Sequence, residues 1–218
     1  MLHTASRGCS RSWLRRLTAL IAVSALAFVA LPNVAVAAVA RDLGQSAPVA
    51  LRDGSSRIFQ GAMRHAPTWD DLHWLLQASP LPVWVKGVLH PDDARQLQAA
   101  GCAGLIVSNH GGRSLDGAPA SLARLPAVRA AVGPGYPVLL DGGVRSGQDA
   151  FKALALGADA VLIGRLQVYA LAVAGALGVA HMLTLLTEEL HACMAQAGCA
   201  RLADITPEAL LPLSTTPE

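Results

Sequence analysis

Three groups of residues in this sequence could do chemistry together. Lys86 is one of only two lysines, against 15 arginines, and it lies inside the apolar run Pro82-Val83-Trp84-Val85-Lys86-Gly87-Val88. A fixed cation in such surroundings can stabilise a developing negative charge. The string Ser108-Asn109-His110-Gly111-Gly112-Arg113 sets an imidazole three residues from a guanidinium. The first suits proton transfer near neutral pH; the second pairs bidentately with carboxylates. Asp141-Gly142-Gly143-Val144-Arg145 and Gly164-Arg165 are short glycine-bearing turns, a setting in which backbone amides hold anions. Singly, each has an ordinary explanation: a strand-end lysine extends its stem, a glycine-rich turn is only a turn, and an Asp before Gly is a cap. Their common phase in the chain sets them apart.

That phase comes from the elements. Thr68 with Asp71 reads as a capping box opening a helix through Leu72, Leu75 and Leu76, which Pro80 and Pro82 end. Residues 82–88 are a buried strand. His90-Pro91-Asp92-Asp93 starts the next helix, which Gly101 stops. The pattern then repeats: strand 104–109, a glycine-rich loop 111–117, helix 121–132, strand 137–141, helix 147–156, strand 160–164. A long apolar helical stretch 169–197 follows, with Gly175 and Gly178 as breaks. Strands separated by single helices predict parallel βαβ units with right-handed crossovers. Uniformly apolar strands predict helices covering them. Chemistry in such folds lies at the strands' carboxyl ends, and Lys86, the 108–113 string, Asp141–Arg145 and Gly164-Arg165 all fall there. Trp84 is expected in the core, and Tyr169 against the last strand–helix junction.

Composition narrows the class. The chain has 218 residues, 53% hydrophobic and 15% charged, with formal net charge +2. The length fits one domain, or one with a tail. The apolar content excludes a disordered chain, and the charge provides no broad basic face for nucleic acid. Cys9, Cys102, Cys193 and Cys199 form no CxxC pair and no metal-ligand spacing, so ordinary thiols and no metal site are expected.

Residues 1–16 carry four arginines and no acid, Leu17 to Leu31 is apolar, and Ala35-Val36-Ala37 fits a cleavage signal. This has the form of a secretory leader. It is shorter than the roughly 20 residues that span a bilayer.

From residue 68 to 205 the chain resembles the carboxyl-terminal half of the FMN-dependent α-hydroxy-acid oxidases and dehydrogenases, such as glycolate oxidase and flavin-type lactate dehydrogenase. The resemblance rests on Lys86-Gly87-Val88, the Ser108–Arg113 string with Leu115-Asp116, Asp141–Arg145, Phe151–Ala158 and Ile163-Gly164-Arg165. The Ser-Asn-His-Gly-Gly-Arg string is its most specific element. It implies an α/β fold, a partial TIM (β/α)8 barrel of about four carboxyl-terminal βα units behind an apolar amino-terminal leader helix. It implies FMN as cofactor and oxidation of a small 2-hydroxy acid to the 2-oxo acid. Lys86 would sit at the flavin N1/O2 edge and Ser108 would bond the isoalloxazine. His110 would be the base and Arg113 the substrate-carboxylate clamp. Asp141, Gly142, Gly143, Val144, Arg145, Gly164 and Arg165 would hold ribityl and phosphate. Two departures stand out: Leu166 where the family usually has Pro, and Ser146 in place of a common Arg.

The organisation expected is a leader, 1–40; a linker or loop, 41–67; the half-barrel, 68–205; and a tail, 206–218. Residues 31–51 faintly resemble the family's variable loop. On that reading the leader is an accident of truncation and the protein is cytoplasmic; the alternative is export, or anchoring through 17–40. The family's first strands, its substrate-side tyrosines and the carboxylate that orients the catalytic histidine have no counterpart here. The expectation is therefore a homo-oligomer or a complementing amino-terminal half, with doubtful activity for the chain alone. The alternative is a non-catalytic fragment that binds FMN or phosphate weakly, or only associates with a partner.

Overall fold

The computed structural model describes residues 66–211 together with Gly54, Ser56 and Ile58. The leader, most of the 41–67 linker and the end of the tail lie outside the described residues. The chain divides into two compact units, Leu26–Val83 in one and Trp84–Glu218 with Met1–Ala25 in the other. In the first, Thr68 caps helix α1 (Trp69–Ala78). Its backbone N–H donates to the Asp71 carboxylate at 2.7 Å and its hydroxyl oxygen accepts the Asp71 N–H at 3.4 Å, the reciprocal arrangement expected of a capping box.

The second unit alternates strand and helix: β1 (Trp84–Val88), α2 (Pro91–Ala100), β2 (Gly104–Ser108), α3 (Ser121–Val132), β3 (Val138–Asp141), α4 (Gly147–Ala155), β4 (Ala160–Leu162) and α5 (Arg165–Gln196). The sheet is parallel throughout, in the order β1-β2-β3-β4. Local chemistry sets most boundaries. His90 caps α2, its ring nitrogen accepting from the Asp92 N–H at 3.2 Å; Pro91 follows at the first helical position, and Gly101 closes the helix at φ 94°. Ser146 and Asp149 form a second capping box on α4, so the serine that departs from the family pattern serves as a helix cap.

Register divides the sheet into two faces. Leu105, Val107, Val138 and Leu140 are fully buried, on the face where α2 and α3 pack. Ile106 pairs with Lys86 and with Leu139, and Ser108 pairs with Asp141. These five residues alternate with the buried set and so point to the opposite face, where Ile106 and Leu139 remain half-buried. Within this unit, the helices therefore cover one face of the sheet rather than both.

The last helix differs from expectation. It starts at Arg165 rather than Tyr169, and its backbone breaks at Ala174 (φ −146°) and Gly175 (φ 57°). By length and composition this segment is apolar enough to cross a membrane, but it is two helices in one run. Gly178 is helical and does not break it; a side chain there would strike the Ala170 carbonyl, so the glycine serves close approach. Tyr169 is 58% exposed and Trp84 39% exposed, so neither is core. The Trp84 indole instead lies over Gly104, which has no room for a Cβ. A separate core joins α4 to α5: Phe151, Ala155, Leu190, Met194, Cys199 and Ile205. Ala209 and Leu210, past the 205 boundary, pack against it.

The amino-terminal ends of the strands are tied by one side chain. Arg129 donates from Nε to the Gly157 carbonyl (2.6 Å), from Nη1 to the carbonyls of Gly133 (2.9 Å) and Tyr136 (2.6 Å), and from Nη2 to the Asp159 carboxylate (2.6 Å). The same carboxylate accepts the Val138 N–H at 2.8 Å. Tyr136 donates its hydroxyl to the Cys102 carbonyl at 2.8 Å. Burial, with Cys102 nearby, pushes the Tyr136 phenol up to about 12.

Candidate active site

Lys86, Ser108 and Asp141 come from three adjacent strands and meet at their carboxyl ends. The Lys86 ammonium lies 2.8 Å from the Asp141 carboxylate and donates to the Ser108 hydroxyl at 3.0 Å. Ser108 donates to the same Asp141 oxygen and accepts the His110 N–H at 3.0 Å. A hydroxyl has one donor and two acceptor positions, so Ser108 is fully satisfied within the chain; it is only 1% exposed. Sequence reasoning aims it at the cofactor, whereas the structure turns it to Lys86, Asp141 and the His110 peptide. Lys86 remains 40% exposed at its side chain, with one of its three donors unassigned.

The loop after β2 carries His110 in the left-handed region at φ 56°, unusual for a residue with a Cβ. Its neighbours fix that conformation. The Asn109 N–H donates to the Ser121 hydroxyl (3.0 Å), and the Asn109 amide donates to the Pro119 carbonyl (3.2 Å) and accepts the Gly112 N–H (3.3 Å). Arg165 reaches across from α5 to the Gly111 carbonyl at 3.2 Å. His110 and Arg113 are both exposed. Sequence reading missed Ser121, because the first residue of a helix usually signals only a cap.

The turns after β3 and β4 complete the rim. Gly142 (φ 104°) and Gly143 (φ 82°) adopt a backbone that only glycine takes readily. With Val144, Arg165, Gly111 and Ser121 they line a cavity of about 290 Å³. Among the described residues no acceptor meets the N–H groups of Gly142, Gly143 or Val144. Gly164 precedes α5 without a side-chain cap. Arg145 lies elsewhere: it lines a separate apolar groove of about 590 Å³ along α5, with Tyr169, Val173, Leu177, His181 and Leu185.

The FMN-dependent dehydrogenase family model matches residues 15–212, nearly the whole chain. The chain belongs to this family. Among its relatives, an L-lactate oxidase from Alicycliphilus denitrificans is 81% identical over 168 residues, covering 77% of this chain and 46% of that protein. Glycolate oxidase 1 from rice is 48% identical over 153 residues, covering 70% of this chain and 42% of its own length. A mandelate oxidase variant with a monooxide FMN adduct superposes with TM-score 0.62 at 47% identity, covering 64% of this chain and 44% of that one. The chain thus spans under half the length of the curated relatives it matches.

The residues present fit the anionic end of FMN. Among the described residues, Gly142, Gly143 and Val144, whose N–H groups meet no acceptor, line one cavity with Arg165 and with Asp149, whose carboxylate is held by the Arg145 and Ser146 N–H groups; the free amides and the guanidinium suit phosphate. Lys86 is a partly exposed cation on β1.

Proposed function

We propose that this chain forms the carboxyl-terminal rim of an FMN-dependent site that oxidises a small 2-hydroxy acid, of the lactate or glycolate type, to its 2-oxo acid. The observation carrying this is the Lys86–Ser108–Asp141 cluster, held within one hydrogen bond of the His110 peptide on the sheet face that α2 and α3 leave free. Bound FMN would accept the two electrons. Lys86 would stabilise negative charge gained by the reduced cofactor, with Asp141 and Ser108 fixing the ammonium's position. Arg113 would hold the substrate carboxylate in a bidentate pair. His110 would accept the proton the substrate releases. Gly142, Gly143, Val144 and Arg165 would grip the phosphate end, with Gly164 opening the helix that carries Arg165.

The described strands number four against the eight of a closed (β/α)8 barrel, and both β1 and β4 are edges. We therefore read the chain as a partial barrel that works with another copy or a complementing amino-terminal half. The same observation favours a second reading, a non-catalytic chain that binds FMN or only associates with a partner. Anaerobic titration of the FMN-loaded protein with L-lactate, glycolate and mandelate separates them. Bleaching of the flavin is expected with at least one; a yellow protein that none of them bleaches establishes the second reading.

We propose a cytoplasmic location, on the observation that the family match starts at Arg15 and so takes in the whole apolar run 17–31. Amino-terminal sequencing that found cleavage near Ala37 would overturn it.

A further inference from the structure

We propose that Ser121 is a positioning residue for the His110 loop, fixing the presentation of the imidazole through the Asn109 peptide. This rests on the reading of His110 as the base. Ser121 is the first residue of α3 and is 3% exposed, one of only two buried polar residues among those described, the other being Ser108. A helix-opening serine commonly satisfies its own helix. Here the hydroxyl accepts the Asn109 N–H from the end of β2, at 3.0 Å.

The placement fixes the peptide that precedes His110. On one side the Asn109 N–H rests on Ser121; on the other the His110 N–H rests on Ser108 at 3.0 Å. Two successive amides are pinned, on either side of Asn109, and at the next residue, His110, the chain turns into the left-handed region at φ 56°. Such a backbone persists only when its surroundings over-determine it.

The same hydroxyl also meets the cofactor turn. A Cβ on Gly142 would lie 3.1 Å from both Ser121 Oγ and Asn109 Oδ1, so that glycine leaves the space the two side chains fill. Ser121 thereby joins α3, the base loop and the turn after β3. The Asn109 side chain closes the loop from inside, through Gly112 and Pro119.

The test compares Ser121→Ala with Ser121→Thr, which keeps the acceptor, and Ser121→Cys, nearly the same size but a weak acceptor. Hydrogen exchange of FMN-loaded protein is read over 108–112 and, as a control, over 138–141. Leaving one buried N–H without an acceptor is expected to speed exchange at 108–112 about tenfold in Ser121→Ala. The 138–141 amides should stay within about twofold of the parent, and Ser121→Thr should restore protection. Where the parent bleaches, the maximal rate should fall about tenfold, with half-saturating substrate little changed. Should Ser121→Ala not fold, Ser121→Cys gives the same comparison. Unchanged exchange at 108–112, or a rise that extends equally to 138–141, overturns the proposal. A parent that fails to bleach defeats the catalytic reading, while the exchange measurement still decides whether Ser121 holds the loop.

Discussion

The two ends of the sheet use polar side chains in opposite ways. At the amino-terminal end, Arg129 places four hydrogen bonds on Gly133, Tyr136, Gly157 and Asp159, all groups of its own chain. At the carboxyl end, Lys86 keeps a donor unassigned, the Gly142–Val144 amides meet no acceptor among the described residues, and His110 and Arg113 are exposed. Closed networks stabilise a fold, and open ones leave capacity for a ligand. The same strands carry both, so changes at one end should separate from changes at the other.

The largest expected effect is at the open end. His110→Gln should slow anaerobic flavin bleaching by about 10²–10⁴-fold, the usual contribution of a positioned base. The thermal midpoint should stay near that of the parent, because the ring is exposed. A substantial loss of stability would show the two ends to be coupled.

Arg129→Met should do the reverse. It removes the donor from three half-buried carbonyls and from the exposed Asp159 carboxylate, and should cost about 1–3 kcal/mol in urea unfolding. FMN affinity of the protein that remains folded should be unchanged.

Tyr136→Phe is the mildest. It removes one hydrogen bond to Cys102 and should cost about 1 kcal/mol. It also carries a pH signature. The folded phenol has its pKa raised from 10.0 to about 12. The native state therefore holds this proton more tightly than the unfolded chain does. That stability is fully present below about pH 10 and is lost as the pH rises towards 12. The phenylalanine variant should show a shallower decline over that window, read as urea midpoints at successive pH values.

What the sequence disclosed follows from how local each cause is. The capping box of Thr68, the Pro91 start and the Gly101 stop are written within four residues, and they placed α1 and α2; Ser146 stood out only as a departure from the family, and its capping of α4 is a finding of the structure. The parallel βα order and the convergence of Lys86, Ser108 and Asp141 followed from strand rhythm. Features set by distant contacts were not legible. Arg129 reads as an ordinary residue in the last turn of α3, since its carbonyl partners carry no side-chain signal. Gly178 and Gly175 look alike in sequence, yet one serves a close approach and the other a chain break. Trp84 reads as core and Tyr169 as packed at the last strand–helix junction, but the faces that expose them depend on packing. Ser108 illustrates the limit within the site itself: its position was legible, its hydrogen-bond partners were not.

Gly147 ties the remaining pieces together. Its N–H rests on the Glu189 carboxylate at 2.7 Å, and its Cα lies so near the Leu190 backbone that no methyl could be inserted. The start of α4 and the middle of α5 are therefore geared, tooth against tooth. Any side chain at position 147 would have to push α5 away from α4, and the carboxylate that now receives the first N–H of α4 would move with it.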